Sequence, residues 1–291
     1  DDGRGGRLDL SAASLRIVGT VSGIAEDVVE VAASVLNRIA ADSVLLGGTR
    51  TVLADRTEIA PVAGTVEVAS GLDLAGSEYL LVARDRVTIG DNASLRSTGE
   101  AANDVGGPLL VSGTGGSALV RVSRNGPAEL GRAAGATAAG DVSIGAGAVL
   151  GANGSVTVDA GGTARSFGGY ELGSGAALAL GSRLIVLGAD QAGVADGLAL
   201  NDSALAALGA ASRVELRARD ELRVAGTVSL GGGAVQPDEL TLDTPVIRTA
   251  GESATFSAAA LTLRNSGAVL AGEPATGAGT LSFDAGSFTF G

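Results

Sequence analysis

The side chains able to do chemistry in this 291-residue chain are few in kind: 20 arginines, 32 aspartates and glutamates, and hydroxyls, with histidine, cysteine and lysine all absent. Those absences remove whole mechanisms. Without histidine or cysteine there is no Ser-His-Asp or Cys-His system, no thiolate and no cysteine zinc site. Without lysine, Gly113-Thr-Gly-Gly-Ser117 cannot work as a Walker-type phosphate loop and reads as a flexible loop. What remains is carboxylates paired as acid and base or holding calcium, and an arginine serving as the base of a lyase. Arg84-Asp85 and Arg219-Asp220 recur in matched surroundings. Asp85, Asp159, Asp220 and Asp284 follow apolar runs, the place of an Asx turn, and the Arg-Asp pairs read as exposed salt-bridged turns of small energetic value. Neither a calcium loop of alternating Asp nor a Gly-Gly-x-Gly-x-Asp nonapeptide is present, so no metal or cofactor is expected.

The elements that must position these charges show themselves by repetition. Tyr79-Leu-Leu-Val-Ala-Arg-Asp-Arg-Val-Thr-Ile89 is restated as Val214-Glu-Leu-Arg-Ala-Arg-Asp-Glu-Leu-Arg-Val224. In both, apolar residues alternate, Arg-Asp interrupts, and alternation resumes, which predicts strand, turn, strand. Alternating pairs continue along the chain, among them Leu15/Ile17, Val66/Val68, Val142/Ile144, Val156/Val158, Leu178/Leu180, Leu240/Leu242 and Leu261/Leu263. The turns between pairs are too short for parallel neighbours within one sheet, which need crossovers of about a dozen residues or more. Strands lying in different sheets, each pairing with the coil above and below, escape that limit. Three strands with turns make a coil of roughly 20 to 25 residues, so the chain would hold roughly 12 to 14 coils. Ile24, Val28, Val31, Val35 and Ile39 have helical spacing, but Ser34-Val-Leu-Asn-Arg-Ile39 is matched by Ser203-Ala-Leu-Ala-Ala-Leu208 between alternating pairs. A single helical turn capped by Ser34 or Ser203 is expected at each place.

Composition agrees with a narrow stacked core. Aromatic residues are 2% of the chain, too few to close a globular core of this size, whereas stacked Val, Leu, Ile and Ala need none. Six prolines and the lack of a three-residue glycine period exclude collagen, and 45% hydrophobic content excludes disorder. A net charge of −12 argues against nucleic acid or an anionic membrane surface as partner. No apolar run is long enough to span a bilayer without glycine interruption. The pattern breaks at 99–141, where Gly106-Gly-Pro108, Asn125-Gly-Pro127 and an Ala/Gly run predict irregular, protruding loops. Arg121, Arg124 and Arg132 fall there, and a cationic loop on an acidic rod would suit an anionic glycan. Ile144, Leu150 and Val156 are spaced as in the hexapeptide repeat of left-handed β-helix acyltransferases, but the run fails at Gly162 and the histidine of those enzymes is missing.

The apolar-x-apolar-x-Ala units, the Ser-x-Leu-x-x-apolar turn and Asp42-Ser-Val-Leu-Leu-Gly-Gly-Thr-Arg50 resemble the filamentous haemagglutinin-type large exoproteins of bacterial two-partner secretion. The resemblance runs along almost the whole chain. It implies an all-β, right-handed parallel β-helix with a few short helical turns, one unit over 1–291, exported through a dedicated outer-membrane transporter. It also implies display at the bacterial cell surface as the shaft of an adhesin that attaches to a host glycan or surface receptor, with no catalytic residue. The Asn-Pro-Asn motifs of that family's secretion domain are absent. The chain begins Asp1-Asp-Gly and stops inside a strand pattern, as a segment of a longer exoprotein would. Two rival roles are a carbohydrate-active β-helix enzyme with an acidic groove and the stalk of a contact-dependent toxin; carboxylates converging on one face would favour the enzyme.

Overall fold

The computed structural model describes residues 6–23, 27–100, 107–112, 116–132, 139–232, 235–267 and 279–291. It is all-β, with 56% of residues in strands and 6% helical, and the alternating pairs have become ladders. Tyr79 lies in register with Val122, which continues through Val156, Leu178, Val214 and Leu240 to Leu261. A parallel row runs from Leu81 through Val120, Val158, Leu180 and Leu216 to Leu242. Period-2 alternation puts both rows on one face of the sheet, where every one of these residues is buried.

The unit at 79–89 shows how a circuit is made. Strand Glu78–Ala83 belongs to this main sheet, Arg86–Ile89 to a second sheet and Ser94–Ser97 to a third. The next circuit pairs with the last. Val87 stacks between Val66 and Val142 in the second sheet, and Leu95 between Leu74 and Leu150 in the third. Asp73 and Ser94, bonded neighbours in adjacent circuits, are 21 residues apart, and Asp141 and Thr163 are 22 apart, inside the expected coil length. The inward rows of the three sheets meet in one cluster of Val, Leu, Ile and Ala in which Tyr79 and Phe256 are the largest side chains, so few aromatics are needed.

Two details differ from expectation. The restated unit is one continuous strand, Arg213–Val224; its bend is absorbed as a register shift, with Ser182 opposite Ala218 and Leu184 opposite Glu221. A helix stands between strands at both places, a single turn at Ala33–Leu36 but a nine-residue helix at Asp202–Ala210, and neither serine caps them. Asn201 caps the longer one by accepting from the Ala204 N–H at 3.1 Å, so that helix begins ahead of Ser203, and Ala32 offers the other no side-chain cap.

The largest difference is at 99–141. Its described part contains strands Leu109–Val111, Ala118–Ser123 and Leu130–Arg132. Ala118–Ser123 is inserted into the main sheet, antiparallel to both Glu78–Ala83 and Ser155–Ala160. The other two strands join the hairpin Gly48–Val52 and Thr57–Pro61 in a fourth sheet, a flap over the outer face of the main sheet. Leu45, Leu80, Val82 and Leu119 from below and Ile59, Val111 and Leu130 from the flap make a second apolar cluster. Of the signals that predict loops, Gly107-Pro108 and Asn125-Gly-Pro127 precede the flap strands, and Gly106, 113–115 and the Ala/Gly run 133–138 lie outside the described residues. The hairpin lengthens the path between registered neighbours: Val44 and Tyr79 are 35 residues apart, beyond the roughly 20 to 25 expected of even coils.

Gly47 is where the first excursion leaves. Its φ is +92°, a Cβ there would stand 2.1 Å from the Val82 carbonyl oxygen, and its own carbonyl accepts from both Val62 and Ala63 N–H. The hairpin therefore departs and returns at a single corner.

Candidate functional site

The outer face of the main sheet carries the polar residues of the alternation, and the flap buries part of it. Arg121 stands between Leu80 and Thr157 in register and is 2% exposed. Its Nε donates to Glu78 Oε1 at 2.8 Å, its Nη2 approaches the same oxygen at 2.7 Å, and its Nη1 donates to Ser155 Oγ at 2.7 Å. Burial alone would push the Glu78 carboxyl up, but Arg121, with Ser43 and Ser123, holds it below the usual carboxylate range.

Arg132, on the edge of the flap, reaches down to a different acid. Its Nε and Nη2 donate to Asp159 Oδ2 at 2.9 and 2.5 Å, and Nη1 donates to Ser117 Oγ at 2.6 Å. From the opposite side Arg219 Nη2 donates to Asp159 Oδ1 at 2.6 Å, while its Nη1 donates to the Ala160 carbonyl. Asp159 is 3% exposed, and the burial that would raise its pKa is outweighed by Arg132, Arg219 and Arg217, which hold the carboxyl far below the usual range. The network continues along the stack. Arg217 pairs with Glu215 at 2.6 Å and Asp243 at 3.3 Å and donates to the Leu130 carbonyl of the flap at 3.0 Å. Asp243 also accepts from Arg264 at 3.0 Å and from the Ser266 N–H and hydroxyl.

The three arginines read as a cationic loop are thus not brought together. Arg121 is buried and Arg132 largely so, each neutralised at a separate acid, and Arg124 is the most exposed of the three, 3.4 Å from Asp42. The aspartates also divide. Asp159 is a buried strand residue instead of an Asx turn, because two guanidiniums converge on it. Asp220 is exposed and pairs with Arg183 at 2.7 Å, not with Arg219 beside it. Asp85 is exposed in its turn, and Asp284 lies on the terminal strand Thr280–Phe290. Glu78, Glu215, Arg217 and Asp243 escaped the sequence reading, although a signal was present. Tyr79-Leu-Leu-Val-Ala83 is apolar at both parities, as a strand covered on both faces must be, so the polar residues flanking it had to be buried beneath something.

The carboxylates therefore gather on one face, as an acid and base pair would. A general acid, however, needs a carboxyl that stays protonated near neutral pH, and Glu78, Asp159 and Asp243 are all shifted the other way by their arginines and serines. Among the described residues no group of three His, Cys, Asp or Glu is placed to hold a metal. Two cavities border these features. One of about 200 Å³ lies between flap and main sheet, lined by polar residues Arg50, Glu78, Arg121 and Asn125 and by apolar Ile59, Leu80 and Leu109. Another, of about 220 Å³, lies beside the longer helix and is lined by Ser166, Phe167, Tyr170, Gln191 and Asn201. Comparison of the chain with protein-family models, with curated proteins and with solved structures gives no match in any of the three.

Proposed function

We propose that the chain is a stretch of right-handed parallel β-helix forming the structural shaft of a secreted, surface-displayed bacterial adhesin of the filamentous haemagglutinin type, exported through an outer-membrane transporter. Attachment to a host glycan or surface receptor falls to the flap side. The observation that carries this reading is the division of labour across the main sheet. Inward residues are committed to stacking, while the long excursions from the circuit gather on the one outer face. The stretch that resembles the exoproteins, Asp42 to Arg50, contains the Gly47 corner at which the flap departs.

A carbohydrate-active enzyme has one observation in its favour, the gathering of Glu78, Asp159, Glu215 and Asp243 on that face. Their pairing with arginine supports a structural use instead, since a clamped carboxylate neither donates a proton nor leaves its partner to attack. Beads coated with the purified chain are expected to attach to host cells or to members of a glycan array. The same preparation, incubated with acidic and neutral polysaccharides, is expected to leave them intact. New reducing ends or unsaturated products would overturn the proposal, and so would coated beads that adhere no better than bare ones.

A further inference from the structure

The cavity of about 200 Å³ under the flap is bordered by an arginine with one N–H group that nothing in the fold uses. Arg50 lines it from the flap hairpin. Its Nε donates to Asp9 Oδ1 at 2.7 Å and its Nη1 to Ser43 Oγ at 2.8 Å, yet Nη2 is buried with no hydrogen-bond partner, on a side chain only 9% exposed. A buried guanidinium N–H without an acceptor costs free energy that a ligand oxygen would recover. The charges around it fix the sign of that ligand. Arg121 is matched by Glu78 and Arg50 by Asp9, whereas Arg7, exposed at the edge of the cavity, has no ion-pair partner among the described residues. One positive charge is left over, which suits one negative group. The walls fix the rest: Ile59, Leu80 and Leu109 offer apolar surface, and Thr57 and Asn125 offer hydroxyl and amide groups. The volume falls below the roughly 300 Å³ at which sites for drug-sized ligands begin, so it admits a single ring and not an extended chain.

We propose that this cavity is a binding site for one carboxylate-bearing sugar ring, its carboxylate accepting from Arg50 Nη2 and facing Arg7, its carbon face against Leu80 and Ile59. The site stands on the cavity alone and not on the adhesive role, and the two are measured separately, by titration of the purified chain and by attachment of coated beads. Titration calorimetry with glucuronate as probe and glucose as its uncharged counterpart tests it. Glucuronate binds with one site per chain and glucose does not. Arg50→Gln weakens glucuronate by about tenfold or more, as loss of a charge-assisted bond requires. Because Arg50 also ties the hairpin to Asp9 and Ser43, a second variant leaves that tie alone: Ala128→Phe, which fills the cavity from its lining, abolishes binding while the thermal melt stays that of the parent. A disaccharide ended by glucuronate separates the two sources of the ring; its binding assigns a glycan terminus, and binding of the free acid alone assigns a monosaccharide. Absence of saturable glucuronate binding, equal binding of glucose, or parent-like binding by both variants overturns the proposal.

Discussion

Asp159 is the residue on which the outer face turns, since two largely buried guanidiniums, those of Arg132 and Arg219, converge on it. Removing its charge leaves both cations uncompensated in a place with little water, a loss of about 3 kcal/mol or more. Asp159→Asn, close in shape, is therefore expected to lower the urea midpoint strongly, whereas Asp220→Asn, at an exposed pair, is expected to change it by less than about 1 kcal/mol. Equal effects would mean that Asp159 is not clamped. The same acids set a pH dependence. Glu78, Asp159 and Asp243 all have folded pKa values depressed below their unfolded ones, so their stabilisation is fully present above the unfolded values near 4 and is lost as pH falls toward the folded values. Unfolding free energy measured from pH 7 down to 2 should be level to about pH 5 and then fall, and Asp159→Asn should fall less steeply. None of this was legible locally. Asp159 reads as a strand-end turn because its partners stand 27 and 60 residues away, and cross-strand neighbours at that distance leave no mark beside the residue itself.

At the scale of elements, the pleat makes neighbouring residues opposites. Leu222 is buried between Ile185 and Ile247 in register, and Arg223, one residue on, points outward to Glu221. Leu222→Asp should cost several kcal/mol, about that of an unpaired charge in an apolar core, and Arg223→Asp little. Thermal melts ranking them the other way would refute the register. This alternation was readable from the sequence because each strand carries its own facing. The flap was not, since its cover over Leu45, Leu80, Val82 and Leu119 comes from two excursions far apart in the chain. Glycine and proline announced the turns of 99–141 but could not announce that Ala118–Ser123 returns through the main sheet, for a six-residue apolar strand reads alike in either direction. Joining Gly47 directly to Val62 should leave the circuits folded, because Gly47 already accepts from Val62 and Ala63, while uncovering the second apolar cluster. A retained β-type circular dichroism spectrum with new binding of a hydrophobic dye is the expected result; loss of the spectrum would make the flap indispensable to the stack.

Across the described residues the strands form large parallel sheets, and a period of 20-odd residues was legible where adjacent strands repeat the same apolar spacing, as at Asp73/Ser94 and Asp141/Thr163. The period is not kept throughout: in register, Arg7 and Ser43 are 36 residues apart, Val44 and Tyr79 are 35 apart, and Ala177 and Arg213 are 36 apart. Asp91 accepts from the Ala146 N–H in the adjacent layer, yet the two are 55 residues apart, because the reversed strand and its flap partners are folded in between. Pulled from its ends in a single-molecule force trace, an ordinary circuit of 21 residues should pay out about 70 Å of contour length. The circuit that contains the reversed strand should release about 190 Å from its 55 residues. A trace with no step of that length would mean that Ala118–Ser123 peels away on its own. A long step among short ones would show that the column carries a coil of slack at mid-length, let out only under load, so that a tether under sudden tension lengthens before it breaks.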